Sequence, residues 1–175
     1  MIQRVPWFER IFTFAFPPGF YPEVIERLRG TPARLEDRVQ GLPVDVLTRR
    51  DGDHWSIQEN AGHLFDLEAL MEGRLEDFLA GVDVLRAADL TNQVTATAGH
   101  NRRPIADILA AFRARRLGNV ARLESLDSDL FARTALHPRL QVPMRLIDLL
   151  EFQANHDDFH LATISEMLRQ HAGTP

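Results

Sequence analysis

The sequence predicts an all-α fold, a bundle of four helices, and three observations support this prediction. Apolar residues recur at helical spacing in four separate stretches of the chain. No stretch combines sustained alternation with β-branched residues, so the pattern requires no strand. Loops of more than ten residues join the four stretches, which allows crossing connections as well as simple hairpins between the helices.

The composition indicates an ordinary globular protein and disfavours several classes of function. A chain of 175 residues can enclose a sizeable core, and we expect residues 1–175 to form a single domain. The net charge of -5 disfavours binding to nucleic acid or anionic membranes, which attract cationic proteins. Without cysteine, there is no disulfide, cysteine-bound zinc or thiol nucleophile. We recognise no signal peptide or membrane-spanning segment, so we expect a cytoplasmic protein.

Residues 1–21 are predicted to form an aromatic N-terminal arm. Aromatic residues are concentrated in this segment, namely Trp7, Phe8, Phe12, Phe14, Phe16, Phe20 and Tyr21. Such a segment is too apolar for a free tail, so we expect it to pack on the bundle or on the second subunit of a homodimer. The run Pro17-Pro18-Gly19 prevents a helix there and turns the chain.

The first two predicted helices follow the arm. The first runs over residues 22–42 and can break near Gly30, where Thr31 can cap a new start with Pro32 at the first helical position. The second begins at Ser56, because Ser56 and Glu59 have the spacing of a capping box. Its apolar residues recur at helical spacing until Gly81, so we expect one helix over that range.

The other two predicted helices each begin near a proline. The third starts near Pro104, and one side of it carries the apolar residues Ile105, Ile108, Leu109, Phe112, Leu117, Val120 and Leu123. The fourth opens at Pro143 and runs to about Arg169. Its core stripe can be traced as Leu149, Gln153, His156, His160, Thr163 and Met167.

Three histidines lie where inward-facing residues are expected. His156 and His160 are four residues apart on helix four, so they stand one turn apart on one face. His63 lies on the inward stripe of helix two. Two imidazoles at this spacing can bind one metal ion, and a third from a facing helix completes a tripod with open positions. The alternative is a cluster of hydrogen-bonded core histidines without an ion.

Polar residues one turn from these histidines are the candidate helpers in catalysis. Glu59 could orient the His63 ring or accept a proton, although its capping role is favoured. Asn60 and Gln153 each lie three residues before a candidate ligand, where they could bind ion-bound water or simply be buried amides. Asp157 should point away from the ion.

The remaining histidines are assigned no part in the site. His54 lies at the entrance of helix two, and it can line the approach to the ion. His100 and His137 are expected in loops, and His171 at a frayed end. A metalloprotease interpretation of the His156–His160 pair is disfavoured, because Asp157 is shorter than the glutamate of that motif and Glu166 stands in the place of its third histidine.

Two segments resemble those of the DinB-like (YfiT-like) superfamily. One is Trp55-Ser56-Ile57-Gln58-Glu59-Asn60-Ala61-Gly62-His63-Leu64, and the other is Glu151-Phe152-Gln153-Ala154-Asn155-His156-Asp157-Asp158-Phe159-His160-Leu161-Ala162-Thr163-Ile164. The signature of that superfamily is a Trp-Ser…His-Leu segment in helix two and a His-x-x-x-His-Leu/Ile segment in helix four. The resemblance extends from Arg27 to the end of the chain.

This resemblance implies both a topology and a metal site. The implied fold is a four-helix bundle of the DinB-like type, with up-down-down-up connections. The implied ligands of one divalent ion are His63, His156 and His160, and zinc or nickel is expected before iron.

The resemblance also limits the expected reactions. The superfamily includes transferases that use low-molecular-weight thiols, a mycothiol-dependent isomerase and proteins described as metal-dependent hydrolases. We therefore expect an enzyme whose ion activates water or a low-molecular-weight thiol for hydrolysis or S-transfer on a small molecule. The alternative is a non-catalytic, metal-stabilised dimeric interaction module.

Overall fold

The fold is a helical bundle whose connections carry short helices and one hairpin. A computed structural model describes residues 4–172 of the chain. The helices are α1 (Tyr21–Val39), α2 (Val44–Thr48), α3 (Ile57–Asp66), α4 (Glu68–Ala80), α5 (Gln93–Thr97), α6 (Ile105–Glu124) and α7 (Leu146–Ala172). Short 3-10 turns cover Trp7–Glu9, Pro18–Phe20, His100–Arg102 and Ser128–Ala132, and the strands are β1 (Thr134–His137) and β2 (Val142–Arg145). Within these ranges, no helix combines the length and the apolar character needed to cross a membrane.

The direction of each long helix follows from its side-chain contacts. α1 and α7 run parallel, because residue numbers rise together in the contacting pairs Arg27–Asn155 and Arg38–Ser165. α6 runs antiparallel to α1, as shown by the pairs Glu36–Arg113 and Arg29–Glu124. α4 runs in the same direction as α6, as shown by the pairs Glu68–Arg116 and Glu76–Arg122. The up-down-down-up four-helix bundle is therefore confirmed.

The predicted second helix begins as expected but is interrupted once. The Ser56 hydroxyl accepts from the Glu59 amide at 3.1 Å, and a Glu59 carboxylate oxygen accepts from the Ser56 amide at 2.9 Å, which confirms the capping box. α3 and α4 are separated at Leu67, whose amide hydrogen bonds to the carbonyls of His63 and Phe65. α4 ends at Gly81, which adopts the left-handed conformation with φ of 71°.

The prediction that the first helix breaks near Gly30 is wrong, because α6 repairs the defect that Pro32 creates. Pro32 has no N–H to donate to the carbonyl of Leu28, which lies one turn earlier. Arg116 Nη1 donates to that carbonyl at 3.1 Å instead. The Thr31 hydroxyl donates its proton to Asp157 at 2.8 Å and lies 3.2 Å from the carbonyl of Arg27, so it does not cap a new helix.

Arg116 is the centre of a buried ion cluster, a feature that the apolar stripe of α6 did not predict. Leu117, which we expected to face inward, is 38% exposed, whereas Arg116 is 2% exposed. Arg116 donates to Glu68 at 2.6 Å and to Asp157 at 2.5 Å. Burial alone would lower the pKa of Arg116, but the two carboxylates raise it overall. The cluster thus joins α4, α6 and α7 through one guanidinium.

The expectation that no strand is needed is wrong for the segment before the last helix. β1 and β2 form an antiparallel hairpin in which Ala135 lies opposite Met144. Pro143 therefore belongs to a strand, and α7 begins at Leu146 rather than at Pro143. The carboxylate of Asp148 accepts from the Arg145 amide at 2.9 Å and so fixes the start of the helix. Strands of four residues are too short to show an alternating pattern.

The N-terminal arm lies across the last helix. The Trp7 ring, which is 8% exposed, lies 5.0 Å from the Phe152 ring and 5.1 Å from the Phe12 ring. Other arm side chains face outward, since Phe8 is 64% and Ile11 is 94% exposed. The arm therefore packs one aromatic face on its own bundle and presents apolar side chains on the other.

Candidate metal centre

The bundle brings together the three histidines that the sequence singles out. His63 projects from α3, and His156 and His160 project from α7, the helix that faces it. One ring nitrogen from each lies within 4.8 Å of the others, an arrangement that could hold a metal ion. The distance between His156 Nε2 and His160 Nε2 is 3.3 Å. His63 and His160 are buried, with 5% and 6% exposure.

A neighbouring hydroxyl fixes the tautomer of His63. The Thr95 hydroxyl donates its single proton to Asp66 Oδ2 at 2.8 Å. Its oxygen lies 3.0 Å from His63 Nδ1, so it must accept there and His63 Nδ1 must carry the proton. This leaves His63 Nε2 with its lone pair. Thr95 was not predicted from the sequence, because it lies on a short helix about 30 residues from its partner.

An amide fixes the tautomer of His160 in the same way. Asn60 Nδ2 donates to the carbonyl of Ser56 at 2.8 Å, so Asn60 Oδ1 faces the ring of His160. The distance from Asn60 Oδ1 to His160 Nδ1 is 2.8 Å, which places the proton on Nδ1 and the lone pair on Nε2. We expected Asn60 to contact ion-bound water or to be a buried amide. Asn60 is 3% exposed, as the second alternative expected, and its amide oxygen orients the imidazole of His160.

His156 differs from the other two histidines because its second nitrogen has no fixed partner. Its Nδ1 is buried and has no hydrogen-bond partner among residues 4–172. The ring packs edge-on against Trp7, with ring centroids 4.8 Å apart. Two imidazole nitrogens on one tetrahedral zinc ion would stand about 3.3–3.4 Å apart, given zinc–nitrogen bonds of about 2.05 Å. The observed separation of 3.3 Å between the Nε2 atoms of His156 and His160 fits such an ion.

Burial keeps all three imidazoles neutral. It lowers the pKa of His63 to about 3, with a further contribution from His156. It also lowers the pKa of His156 to about 3, with a contribution from Arg139, and that of His160 well below its ordinary value. Neutral rings have free lone pairs at pH 7, which is the state that a metal ion requires.

The histidines open onto a cavity of about 720 Å³. Trp7, Phe152 and Phe159 contribute apolar walls, and Trp55 lies with its ring 4.7 Å from the His63 ring. Gln153 lines the cavity, and its Nε2 donates to Asp157 Oδ1 at 3.3 Å, which leaves the amide oxygen as its polar group beside the histidines. The site therefore joins three neutral imidazoles to a chamber with aromatic walls.

Glu59 does not line this cavity. It completes the capping box and forms an ion pair with Arg50. Burial opposes its ionisation, but the hydrogen bonds from Arg50 and Ser56 lower its pKa overall. Glu59 is therefore held as a carboxylate away from the histidines.

Two further histidines that we expected in loops are buried. His100 is 1% exposed, and its Nε2 lies 2.9 Å from Asp66 Oδ2, the oxygen that also accepts from Thr95. A Cβ at Gly62 would meet the His100 ring at 2.3 Å, so α3 needs glycine there. His137 is 2% exposed and lines the cavity. His54 and His171 also line the cavity. Nothing in the local sequence indicates these contacts, because each joins segments distant in the chain.

Comparisons with known proteins agree with this architecture. A family model of the DinB superfamily matches residues 27–164, which is well over half of the chain and includes all three histidines. Among solved structures, the chain is similar to YfiT from Bacillus subtilis, described as a probable metal-dependent hydrolase with an unusual four-helix bundle topology. The identity is 21%, the TM-score is 0.81, and the similarity covers 94% of this chain and 95% of that chain. No curated protein matches the sequence.

Proposed function

This chain belongs to the DinB superfamily, and from that premise we propose that it is a metal-dependent enzyme acting on a small molecule. One divalent ion is bound by His63, His156 and His160. We expect zinc or nickel in preference to iron. The reaction is hydrolysis or S-transfer, with water or a low-molecular-weight thiol as the nucleophile. YfiT, which shares the fold, is described as a probable metal-dependent hydrolase.

One observation carries this proposal. Two of the three imidazoles have one nitrogen held by Thr95 or Asn60, which leaves Nε2 free on the side of the cluster. No fourth histidine or carboxylate joins the cluster within the part of the chain that the structure describes. A structural zinc site has four protein ligands, whereas catalytic sites keep a position open. The three-histidine set with a large cavity beside it therefore favours catalysis.

The residues of the chain have separate tasks in this proposal. When bound, a divalent ion supplies a Lewis acid that makes a bound water or thiol more acidic. Thr95 and Asn60 hold the rings of His63 and His160 in one orientation. Trp7 and Trp55 cover the histidines on two sides and exclude bulk water. Gln153 can orient the substrate through its amide.

Elemental analysis of the purified, tag-free protein tests the metal site. We expect about one zinc, nickel or iron per chain in the wild type and a loss of that metal in His156→Ala. His54→Ala is the matched control, because His54 lines the cavity but lies outside the cluster. The helical circular dichroism of both variants should be unchanged. A full metal content in His156→Ala would contradict the proposed ligand set.

Activity assays on the metal-loaded protein then separate the two reactions. One series offers esters and amides with water alone, and the other offers an electrophile with a low-molecular-weight thiol. Turnover that requires the thiol assigns S-transfer, and turnover without it assigns hydrolysis. Both activities should disappear in His156→Ala and persist in His54→Ala. Absence of both activities in a protein that binds metal stoichiometrically would count against an enzyme.

A second candidate, the dimeric interaction module, is favoured by the exposed apolar face of the arm. Phe8 and Ile11 are 64% and 94% exposed and lie three residues apart in the arm. The proposed homodimer would cover them. Sedimentation velocity should then give twice the chain mass of 19.9 kDa, and a species at the chain mass would remove the dimer from the proposal.

A further inference from the structure

Five arginines line the cavity, and they fall into two groups. Arg4, Arg49 and Arg50 lie within ion-pair distance of the carboxylates of Glu166, Asp45 and Glu59 respectively. Arg74 and Arg139 form no ion pair with any carboxylate in residues 4–172. Two cations without a contact ion pair in one cavity are unusual, because removing a charge from water is costly unless it is paired.

Arg74 belongs to α4 and is almost fully buried, with 3% exposure. Its Nε donates to the carbonyl of Arg86 at 3.2 Å, so a neutral acceptor fixes the stem of the guanidinium. Burial lowers the pKa of Arg74 to about 10, against the attraction of Asp77, and the group is therefore still charged at neutral pH. A buried charge is thus presented to the cavity.

Arg139 belongs to the turn between β1 and β2 and extends over aromatic rings. Its guanidinium carbon lies 5.2 Å from the centre of the Phe8 ring and 5.6 Å from that of Phe152. Its Nη2 is buried and has no hydrogen-bond partner among the described residues. The aromatic rings hold the cation in position but leave this donor without an acceptor.

His137 supplies a second donor without an acceptor. Its Nδ1 accepts from the Leu140 amide at 3.2 Å, so the proton of the neutral ring is on Nε2. Nε2 is buried and unpartnered among residues 4–172, and the side chain lines the cavity. Burial and the nearby cations Arg74 and Arg139 lower the pKa of His137 to about 4, so the ring is a neutral donor at pH 7.

We propose that Arg74, Arg139 and His137 form a subsite for an oxyanion group, a carboxylate or a phosphate, on the substrate of this enzyme. An oxyanion would place negative charge beside both cations and accept from the two donors that have no partner. Four carboxylates line the cavity, but none of them forms an ion pair with Arg74 or Arg139. These are the carboxylates of Asp51, Asp53, Asp89 and Glu166. The role of this anion as a substrate rests on the proposed function, whereas the anion subsite itself does not require a metal ion.

Helix α7 connects the subsite to the histidine cluster. The His137 ring lies 5.5 Å from the Phe152 ring, and Phe152 precedes His156 by one turn of α7. One helical turn corresponds to about 5.4 Å along the axis. Both groups are thus reached from successive turns of α7, so the proposed substrate class is a small organic anion that extends from the subsite to the histidine cluster.

Titration calorimetry at low ionic strength tests the subsite with two probes, succinate and phenyl phosphate. Each is titrated into the full-length protein as purified and into the same protein after treatment with EDTA. We expect saturable binding of at least one probe in both states, and the stronger probe identifies the preferred oxyanion. Arg139→Gln should weaken that binding by about tenfold or more, and Arg139→Lys by less.

Arg49→Gln is the matched control, because it removes the same charge from the same cavity. The affinity of the Arg49→Gln variant for the probes should equal that of the wild type. Equal affinity in Arg139→Gln, or no saturable binding of either probe, would overturn the subsite. Binding that requires the metal and ignores Arg139 would also overturn it, because the ion itself would then hold the anion. The metal content of Arg139→Gln should stay at the wild-type level, so failure of the subsite differs from failure of the metal site.

Discussion

Adjacent residues on α7 belong to two polar clusters of opposite character. Asp157 accepts from Arg116, Thr31 and Gln153, so both of its oxygens have partners. His156 has an unpartnered Nδ1 among the described residues and directs Nε2 toward a second histidine. The first cluster is fully paired and closed within the protein, whereas the second lacks an opposite charge and opens on a cavity. Pairing indicates a structural role for the Asp157 cluster, and its absence indicates a binding role for the histidines.

The largest expected effect comes from breaking the paired cluster. Asp157→Asn leaves Arg116 with only one carboxylate, and we expect a loss of about 3–5 kcal/mol in the free energy of unfolding. Urea denaturation followed by circular dichroism measures this loss. Asp158→Asn is the control, because Asp158 is 39% exposed and bonds to the half-exposed Arg27 and Arg34. Equal effects of the two substitutions would remove the distinction between the clusters.

Adding the ion should complete the unpaired cluster. Zinc or nickel at about 100 times its Kd should raise the free energy of unfolding by about 2.7 kcal/mol, because the ion binds the folded state. Thermal unfolding with and without EDTA measures the gain. His156→Ala should show no gain, and His54→Ala should show the same gain as the wild type. A gain that survives in His156→Ala would place the ion elsewhere.

Loosening one ring should have a smaller effect than removing it. Thr95→Val deletes the hydroxyl that accepts from His63 Nδ1, and we expect metal affinity to fall about 10–100-fold. Competition with a fluorescent chelator measures the affinity. Thr97→Val on the same helix is the matched control, because the Thr97 hydroxyl donates to the carbonyl of Gln93. If both variants retain wild-type affinity, Thr95 does not position the ligand.

The smallest expected effect is the pH dependence of the stabilisation that Asp158 contributes through its ion pairs with Arg27 and Arg34. Burial opposes ionisation of Asp158, but hydrogen bonds from Arg27 and Arg34 lower its pKa overall. A depressed folded-state pKa stabilises the protein above the unfolded value of 3.8 and loses that stabilisation as the pH falls through the folded value. The deficit of Asp158→Asn should therefore be about 1 kcal/mol or less at pH 7 and should shrink as the pH falls below 3.8. Denaturation at pH 7, 5 and 3 measures it, and a deficit that persists at low pH would contradict the role of charge.

Local patterns predicted the parts of the molecule that depend on neighbours in sequence. The capping box at Ser56 and the His156–His160 spacing are contained within four or five residues, so the sequence displays them directly. The bundle follows from helical periodicity in the same way. The three histidines meet because inward stripes of facing helices must meet.

Long-range contacts account for the parts that were not predicted. An arginine in the middle of α6 is usually solvent-exposed, and only partners on α4 and α7 explain why Arg116 is buried. Thr95, His100 and His137 reach the site from connections whose course depends on the whole fold. Their functional contacts have no periodic signal in the sequence.

The two tryptophans of the chain give the histidine cluster a spectroscopic reporter. Trp7 lies 4.8 Å from the His156 ring, and Trp55 lies 4.7 Å from the His63 ring. All of the indole emission of the protein therefore originates beside the candidate ligands. A quenching ion such as nickel should darken nearly the whole signal, whereas zinc should leave most of it. Intrinsic fluorescence can thus follow occupancy of the centre in real time, without any label.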